Sequence, residues 1–501
     1  MKLKKIILSI FVLLSAVSLS AQGWTVSWQA ETDILGGTGD YLPFWQRTGR
    51  NGILPYSSST LLITGADLEY KAKNGLYFET GANLVGSLES GNPLRVSRVS
   101  GIVDRLYVSG GWKMLHLDVG LKPRYQQLGD LAITGGNFVM SNNARNIPGI
   151  NAWSYWIYFE KLHLFGFKGN IAHYQLNDTR YTDGAMIHNK SFAVKFGWKD
   201  IFELEAGLDH WAQWGGDSKL IGPQPSTFRD FMRIIVAGRG GDDATKSDQL
   251  NALGNHLGRE YVRLNYNADS YSLSFQYDMP FDDAKNLIQT QTFPDGVWSL
   301  KWSLDRKNAI VTDVIYEYIH TTWQSGDTHD RAATEEEMTK DYGKYVYWQD
   351  PDNYYYGRIV LGGRDNYFNN GEYASGWTYH GRTIGLPLIL PVAPDKDGYT
   401  RGVASNRLRG HHFGIKGNLG LVPYIFKSTY TSNWGTYSTR EGSPFYDKPW
   451  LLSLALELEF GKDITNLPLG FGVGAYADFG KLYQNSFGLT LRIRYCDFRK
   501  L

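Results

Sequence analysis

Between Leu452 and Phe460 the chain reads Leu-Ser-Leu-Ala-Leu-Glu-Leu-Glu-Phe, with a large apolar residue at every second position. Neighbouring side chains of a strand point to opposite faces, so this run writes one apolar face and one polar face. Similar runs recur almost from end to end. A soluble sandwich would bury the apolar face in its own core. A transmembrane barrel would turn that face to lipid and the polar face to its lumen.

The charges are arranged for the second solution. Phe202, Leu204, Ala206 and Leu208 alternate with Glu203, Glu205, Gly207 and Asp209. Phe487, Leu489, Leu491, Ile493 and Tyr495 alternate with Gly488, Thr490, Arg492, Arg494 and Cys496. A basic residue on the lipid face near the midplane costs about 2–4 kcal/mol, so Arg492 and Arg494 are expected inside. A secreted or periplasmic sandwich or repeat protein is the alternative. No fixed sequence period supports a propeller or solenoid.

Turn signals divide the chain into hairpins. Leu61–Tyr70 and Leu76–Val85 flank Asn74-Gly75, a dipeptide suited to positive φ in tight turns. Further pairs are Ile102–Ser109 with Met114–Leu121 about Gly110-Gly111, and Trp153–Glu160 with Leu164–Tyr174. Phe192–Trp198 pairs with Ile201–His210, Tyr261–Asn267 with Tyr271–Met279, and Val297–Leu304 with Ile310–His320. The last are Phe413–Gly417 with Leu421–Thr431 about Asn418, and Leu451–Phe460 with Leu469–Phe479 near Asp463. A first strand near Trp24–Thr32 and a last from Phe487 to Cys496 bring the sum to about eighteen antiparallel strands, an even number as single-chain outer-membrane barrels require.

The remaining connections are long and polar: Ser87–Gly101, Pro123–Ala152, Gln213–Arg259, Thr321–Gly410 and Ser432–Trp450. Short turns at one end with long loops at the other match periplasmic turns and extracellular loops. A compact soluble domain should not carry so many long connections. The expected fold class is therefore all-β, a transmembrane antiparallel barrel with long extracellular loops.

The first residues give an address. Lys2, Lys4 and Lys5 precede the apolar run Ile6–Val17, with small residues at Ser18, Ser20 and Ala21. This reads as a signal peptide over residues 1–21, with cleavage after Ser20 as the alternative because of Leu19. Residues 22–501 then form one outer-membrane domain. No later run is apolar enough for a transmembrane helix. Aromatic residues make up 15% of the chain, including 33 Tyr and 16 Trp, enough for belts at both membrane interfaces. Setting the leader lysines aside, the 51 basic residues fall to about 48 against 50 acidic ones, which gives no basic stripe for nucleic acid. The single Cys496 rules out an intrachain disulfide framework and a cysteine-ligated zinc site.

Motifs for catalysis are missing. The chain has no HExxH, no GxSxG and no phosphate-binding loop, and no cofactor is expected. His411 and His412 would point to opposite faces of a strand and so could not share a metal. Glu335-Glu336-Glu337 reads as a solvated acidic segment. The loop region of about 321–410 differs. It sets Tyr342, Tyr345, Tyr347, Trp348, Tyr354, Tyr355, Tyr356, Tyr367, Tyr373, Trp377 and Tyr379 among Asn353, Arg358, Arg364, Asp365, Asn366, Asn369, Asn370 and Arg382. Rings beside amide, carboxylate and guanidinium groups suit sugars, and a rigid aromatic loses little entropy on contact. Equally, such a loop can fold into a barrel and pack on its own aromatics, with Asn and Gly supplying turns.

Several stretches carry a resemblance. They are Thr38-Gly39-Asp40-Tyr41-Leu42-Pro43-Phe44-Trp45 with Asn51-Gly52, then Gly207 to Gly216, and Gly254-Asn255-His256-Leu257-Gly258. The strongest is Asp365-Asn366-Tyr367-Phe368-Asn369-Asn370-Gly371 leading to Ser375-Gly376-Trp377-Thr378-Tyr379-His380-Gly381-Arg382-Thr383-Ile384-Gly385-Leu386-Pro387. As a set these resemble the Wzi family of outer-membrane capsule assembly proteins, in a distant branch. The resemblance implies an eighteen-stranded barrel in a Gram-negative outer membrane, with a helical periplasmic element and loops that close the pore. It implies a lectin-like, non-enzymatic role in attaching capsular or extracellular polysaccharide. The expected partners are that polymer, outer-membrane lipid, and the barrel insertion machinery during biogenesis. It also makes Trp348, Asp365, Asn366, Tyr367, Trp377, Tyr379 and Arg382 the candidate polysaccharide contacts. Helical periodicity is weak before Leu61, and Gly36, Gly37 and Gly39 would break a long helix there, so a helical element is expected to be short or missing. The competing functions are a porin-like channel and an outer-membrane enzyme acting on lipid or glycan. No single carboxylate, His or Ser stands out as a catalytic candidate.

Overall fold

A computed structural model of the chain describes residues 23–90, 99–159, 164–282, 290–327, 329, 331–332, 345–348, 357–360, 363, 365–465 and 467–500. The expected leader over residues 1–21 lies outside the described residues. Eighteen antiparallel strands close into one barrel. They are β1 (Trp24–Gly37), β2 (Ser59–Lys71), β3 (Leu76–Glu89), β4 (Val99–Trp112), β5 (Leu115–Leu121) and β6 (Gly149–Ser154, resumed at Ile157–Tyr158). There follow β7 (Phe165–Gln175), β8 (Met186–Trp198), β9 (Phe202–Trp214), β10 (Asn255–Asn267), β11 (Tyr271–Asp282) and β12 (Gly296–Leu304). The last are β13 (Asp313–His320), β14 (Arg407–Leu419), β15 (Val422–Gly435), β16 (Trp450–Phe460), β17 (Gly470–Gly480) and β18 (Ser486–Lys500). Each pairs with its neighbours in sequence. β1 pairs with both β2 (Trp24↔Tyr70) and β18 (Thr25↔Lys500), so the sheet has no edge left to satisfy.

The turns follow local chemistry. At the β2–β3 turn Gly75 takes φ 87°, and Asn74 Oδ1 accepts from the Leu76 amide at 3.0 Å. Two turns differ from the sequence expectation. The β4–β5 ladder runs through Gly110-Gly111 to Trp112↔Leu115, with Lys113 at positive φ in the turn. The β14–β15 ladder runs past Asn418 to Leu419↔Val422, and Gly420 takes the positive φ instead. Glycine inside a run is thus a weaker turn marker than glycine at its end.

The eight hairpin turns and both ends of the described chain lie at one end of the barrel, and the other connections, most of them longer and residues 481–485 the shortest, lie at the other, which sets the periplasmic and extracellular sides. Outside, Leu62, Val103, Phe192, Leu204, Leu264, Leu300, Leu456 and Leu489 are exposed large apolar side chains forming the lipid-facing band. Trp112, Tyr155 and Trp198 form part of an aromatic girdle near the periplasmic turns. Inside, the charges pair. Arg492 meets Asp33 at 3.1 Å and Glu459 at 2.9 Å, and Arg494 donates to Glu31 at 2.5 Å. Arg263 meets Glu205 at 3.2 Å, and Arg259 meets Asp209 at 2.6 Å and Asp278 at 3.0 Å. Arg492, Arg494, Glu205 and Asp209 are therefore on the lumen side, as the alternation predicts. Likewise His412 is buried inward against Thr429 and the Leu131 carbonyl, while His411 lies outside beside Tyr316. The protein is an outer-membrane barrel of a Gram-negative envelope.

The lumen is filled. Three connections, residues 38–58, 122–148 and 365–406, fold inward and pack on one another. The first carries the short helix α1 (Phe44–Arg47), in place of a longer helical element. Trp45 Nε1 donates to Thr429 Oγ1 on β15 at 3.0 Å, and the Phe44 amide donates to Asp478 on β17 at 2.8 Å. The second connection is held by lumenal carboxylates. Glu317 on β13 accepts from the Ile133 amide at 2.6 Å, and Asp278 on β11 accepts from the Phe138 amide at 2.8 Å. One apolar cluster joins all three connections to the wall: Phe44, Phe138, Tyr367, Trp377 and Leu386 pack with Ile187, Trp211, Leu257, Val297, Ile319, Leu408 and Leu451. A second cluster, with Leu42 and Leu54 against Leu35, Leu61, Val85 and Ile102, covers β1 to β4. Between them these contacts reach nearly the whole circumference.

Candidate functional site

The connection of residues 365–406 carries most of the side chains that the sequence singled out. The structure gives them internal partners. Trp377 has no exposed surface, and its Nε1 donates to the Val139 carbonyl at 2.7 Å. Its ring meets Trp211 of β9 edge-on at 5.9 Å. Tyr367 is buried, and its hydroxyl donates to Asp295 Oδ2 at 2.8 Å. Burial, reinforced by that carboxylate, holds the Tyr367 hydroxyl well above its usual range, so it stays a donor. Arg382 is buried, donating to the Arg47 carbonyl at 2.8 Å and to the Leu54 carbonyl at 2.5 Å, and lies 4.4 Å from the centre of the Tyr56 ring. Tyr379 is buried with its hydroxyl on Asn177 Oδ1, and Asp365 is buried with Ser325 Oγ donating to its carboxylate. Asn366 is half-buried and accepts from Asn406 Nδ2 at 2.6 Å. Trp348 lies on a short strand (Tyr345–Trp348) paired with Gly357–Val360, and its side chain is outside the described residues, as are Tyr342, Asn353, Tyr354 to Tyr356 and Arg364.

Five of the seven sequence candidates thus hold the loop in the barrel. A polymer at the cell surface cannot reach Trp377 in this arrangement. The rings and amides that recur in this loop suit sugars and inward packing alike. Those same groups also satisfy the polar backbone of a segment folded into a dry interior.

Asp295 organises the neighbouring part. It lies just before β12 and is fully buried. Its Oδ1 accepts from His320 Nδ1 at 2.7 Å and the Trp323 amide at 3.0 Å. Its Oδ2 accepts from the Gln324 amide at 2.6 Å and Tyr367. One carboxylate therefore fixes both the start of the long connection and its return at Tyr367.

Aromatic surface open to the outside sits elsewhere. Tyr181, Lys219 and Tyr399 come from three different extracellular connections. The Tyr181 and Tyr399 rings are 5.4 Å apart, and Lys219 Nζ lies 4.0 Å from the centre of the Tyr399 ring. The tyrosines are half-buried and Lys219 is exposed. A second group surrounds Arg47, with Tyr41, Tyr56 and Tyr483 at 6.0, 5.5 and 5.1 Å. These rings are half-buried, and Arg47 beneath them carries the charge. No sequence spacing links 181, 219 and 399, since only the folding of three loops brings them together.

Between the inward connections and the wall the lumen keeps a cavity of about 180 Å³ lined by Asp33, Trp45, Arg50, Lys427, Glu457 and Arg492 among others. Lys427 Nζ lies 4.4 Å from the centre of the Trp45 ring. Among the described residues no three His, Cys, Asp or Glu side chains are arranged to hold a metal ion.

No protein-family model matches the chain, and no curated protein matches it. Solved structures do. Wzi of Escherichia coli, described as an outer-membrane protein involved in group 1 capsule assembly and a carbohydrate-binding β-barrel, is similar over 97% of this chain and 86% of its own, with TM-score 0.51 and 13% identity. OccAB4 of Acinetobacter baumannii is similar over 96% of this chain and 99% of its own, with TM-score 0.45 and 8% identity. OprD of Pseudomonas aeruginosa covers 96% and 97%, with TM-score 0.43 and 10% identity. At such identity the likeness to Wzi is one of fold, and that fold is an outer-membrane β-barrel.

Proposed function

We propose that this protein is a sealed outer-membrane barrel that holds capsular or extracellular polysaccharide at the cell surface in a lectin-like way, without a catalytic step. The observation that carries the reading is the filled lumen. Three inward connections share an apolar core that meets the wall on nearly every side, which leaves the extracellular surface as the place for recognition. The fold likeness to a barrel described as carbohydrate-binding supports the same reading. A porin-like channel would need those connections to leave the lumen.

The proposed contacts are Tyr181, Tyr399 and Lys219, and from the long connection also Asn366 and Trp348. Half-exposed rings offer flat apolar faces for the C–H patches of sugars, and the ammonium suits hydroxyl or carboxylate groups. Asp365, Tyr367, Trp377, Tyr379 and Arg382 act as positioning residues behind this surface. Each contact is weak, and repetition along a polymer supplies the avidity. The test is retention of purified protein on immobilised surface polysaccharide from the producing cells. Replacing both Tyr399 and Lys219 by Ala should weaken retention with unchanged heat-modifiable mobility on gels. Unaltered retention, or none by the parent protein, removes the reading. Steady conductance by the parent protein in planar bilayers favours the channel.

A further inference from the structure

Outward-facing positions near the extracellular end of the wall are apolar over much of the circumference: Leu84 and Leu88 on β3, Val99 and Val103 on β4, Phe487 and Leu489 on β18. On β7 to β10 the pattern breaks. Counting by twos from the exposed Ile171, Phe192, Leu204 and Val262 places His173, His188, Lys190, His210, His256 and Glu260 on the same outer face. His210 and His256 bond to each other, Nε2 to Nδ1 at 3.0 Å, and His188 is buried with neither ring nitrogen hydrogen-bonded. Six ionisable groups facing acyl chains would be costly.

Much of this stretch is covered by the β9–β10 connection, whose helix packs on His173, His188 and Lys190. In the β9–β10 connection, α2 (Phe228–Ile235) starts at a capping box, in which Thr227 and Asp230 bond reciprocally. It lies on the outside of the barrel. Phe231 meets His173 at 5.4 Å, His188 at 5.5 Å and Trp214 at 5.5 Å. Ile234 is buried with Ala212, Trp214 and Leu253, and Lys190 donates to the Ile235 carbonyl. The opposite side of this short helix is not polar. Phe228 is 77% exposed, Met232 46% and Val236, at its C-terminal cap, 70%. These three recur every four residues and so form one stripe. Arg229 and Arg233 follow on the next face around.

We infer that α2 is an interfacial helix seated in the outer leaflet, with Phe228, Met232 and Val236 against lipid acyl chains. The stripe is continuous with the barrel's lipid-facing band: Lys190, bonded to the end of α2, is paired with the exposed Ile171 and is two residues from the exposed Phe192. The helix therefore replaces a polar stretch of wall with an apolar one, and its arginine face meets the headgroup region. This conclusion is independent of any polysaccharide binding.

The test places one bimane label at a time on the full chain with Cys496→Ser. Phe228→Cys and Met232→Cys report on α2, Leu264→Cys on the lipid band, and Ser438→Cys on an extracellular connection. Each protein is reconstituted in phosphatidylcholine vesicles with or without brominated acyl chains, after heat-modifiable mobility has verified a folded barrel. The α2 labels are expected to lose most of their emission in brominated lipid, as Leu264→Cys does, with bromines near the carbonyls quenching them more than bromines near the chain ends. Emission from the α2 labels as unaffected as that of Ser438→Cys overturns the inference, whether the stripe then lies in water or against a second barrel.

Discussion

Trp377→Ala is the perturbation that most directly examines whether the packed lumen is a seal. The side chain is fully buried where two inward connections meet the wall, touching Trp211 of β9 and donating to the Val139 carbonyl. Removing a buried Trp costs about 3–5 kcal/mol, and here the Val139 carbonyl also loses its donor. The cost falls on the plug, because the closed ladder of the wall does not pass through residue 377. At about 1.4 kcal/mol per tenfold, a loss of about 4 kcal/mol raises the population of locally opened plug by roughly a thousandfold. In planar bilayers the parent protein should be quiet and the variant should show intermittent conductance steps. Trp377→Phe keeps most of the ring packing but not the indole donor, so it should lose only about 1–3 kcal/mol and open less often. If Trp377→Ala is as silent as the parent while both migrate as folded barrels, or if the parent already conducts steadily, the plug is not what closes the lumen.

Three further outcomes follow from the same contacts. A methyl group on Gly385 would lie 2.2 Å from the Phe138 carbonyl oxygen and 2.8 Å from that of Val139, so Gly385→Ala should part the two connections and give conductance steps like those of Trp377→Ala. Asp295→Ala strips the Trp323 and Gln324 amides and the Tyr367 hydroxyl of their acceptor, each buried orphan costing about 1–3 kcal/mol, and should speed chymotryptic cleavage at the partly exposed Trp323. Arg259→Ala leaves Asp209 and Asp278 without their shared cation, and the Gly136 carbonyl keeps only Gln276 Nε2 as its donor. It should destabilise the folded protein by about 3–5 kcal/mol, measured by guanidinium unfolding in detergent.

The wall was legible because two solvents write it. Lipid outside and a polar lumen inside leave a period-two record, so Arg492 and Arg494 could be assigned to the lumen from their strand alone. Turn positions were less legible: Gly110-Gly111 and Asn418 look like hairpin tips but lie within ladders, because nothing in a glycine pair says whether its positive-φ freedom is used. The plug was legible only as one of two readings of the long connection, a loop folded into the barrel, and the other two segments gave no sign of it. Its three segments have no shared period, and their fit depends on single bonds such as Glu317 to the Ile133 amide across 184 residues of sequence. For the same reason Tyr367, Trp377 and Tyr379 read equally well as sugar contacts or as packing, and the fold resolves them as buried. The outward histidines show the alternation failing locally. His173, His188, His210 and His256 sit where a lipid-facing strand should be apolar, and only the folding of the β9–β10 connection over the wall makes the sequence there consistent.

On the proposed reading, sealing and recognition rest on different physics. The seal depends on close packing in a region from which both water and lipid are excluded, so it is sensitive to a single methyl group at Gly385 or the loss of one ring at Trp377. The proposed contact surface depends on half-exposed rings of Tyr181 and Tyr399, whose removal leaves no cavity in the core and should cost little stability. A barrel built this way can change what it binds by exchanging residues at the junction of its loops, while the wall and the plug keep their shape. The separation is itself open to refutation. Tyr399→Ala should reduce polymer retention without producing conductance, and Trp377→Ala should produce conductance before it reduces retention. If either variant moved both properties in proportion, the plug and the binding surface would be one cooperative unit, and loop exchange could not alter one without the other.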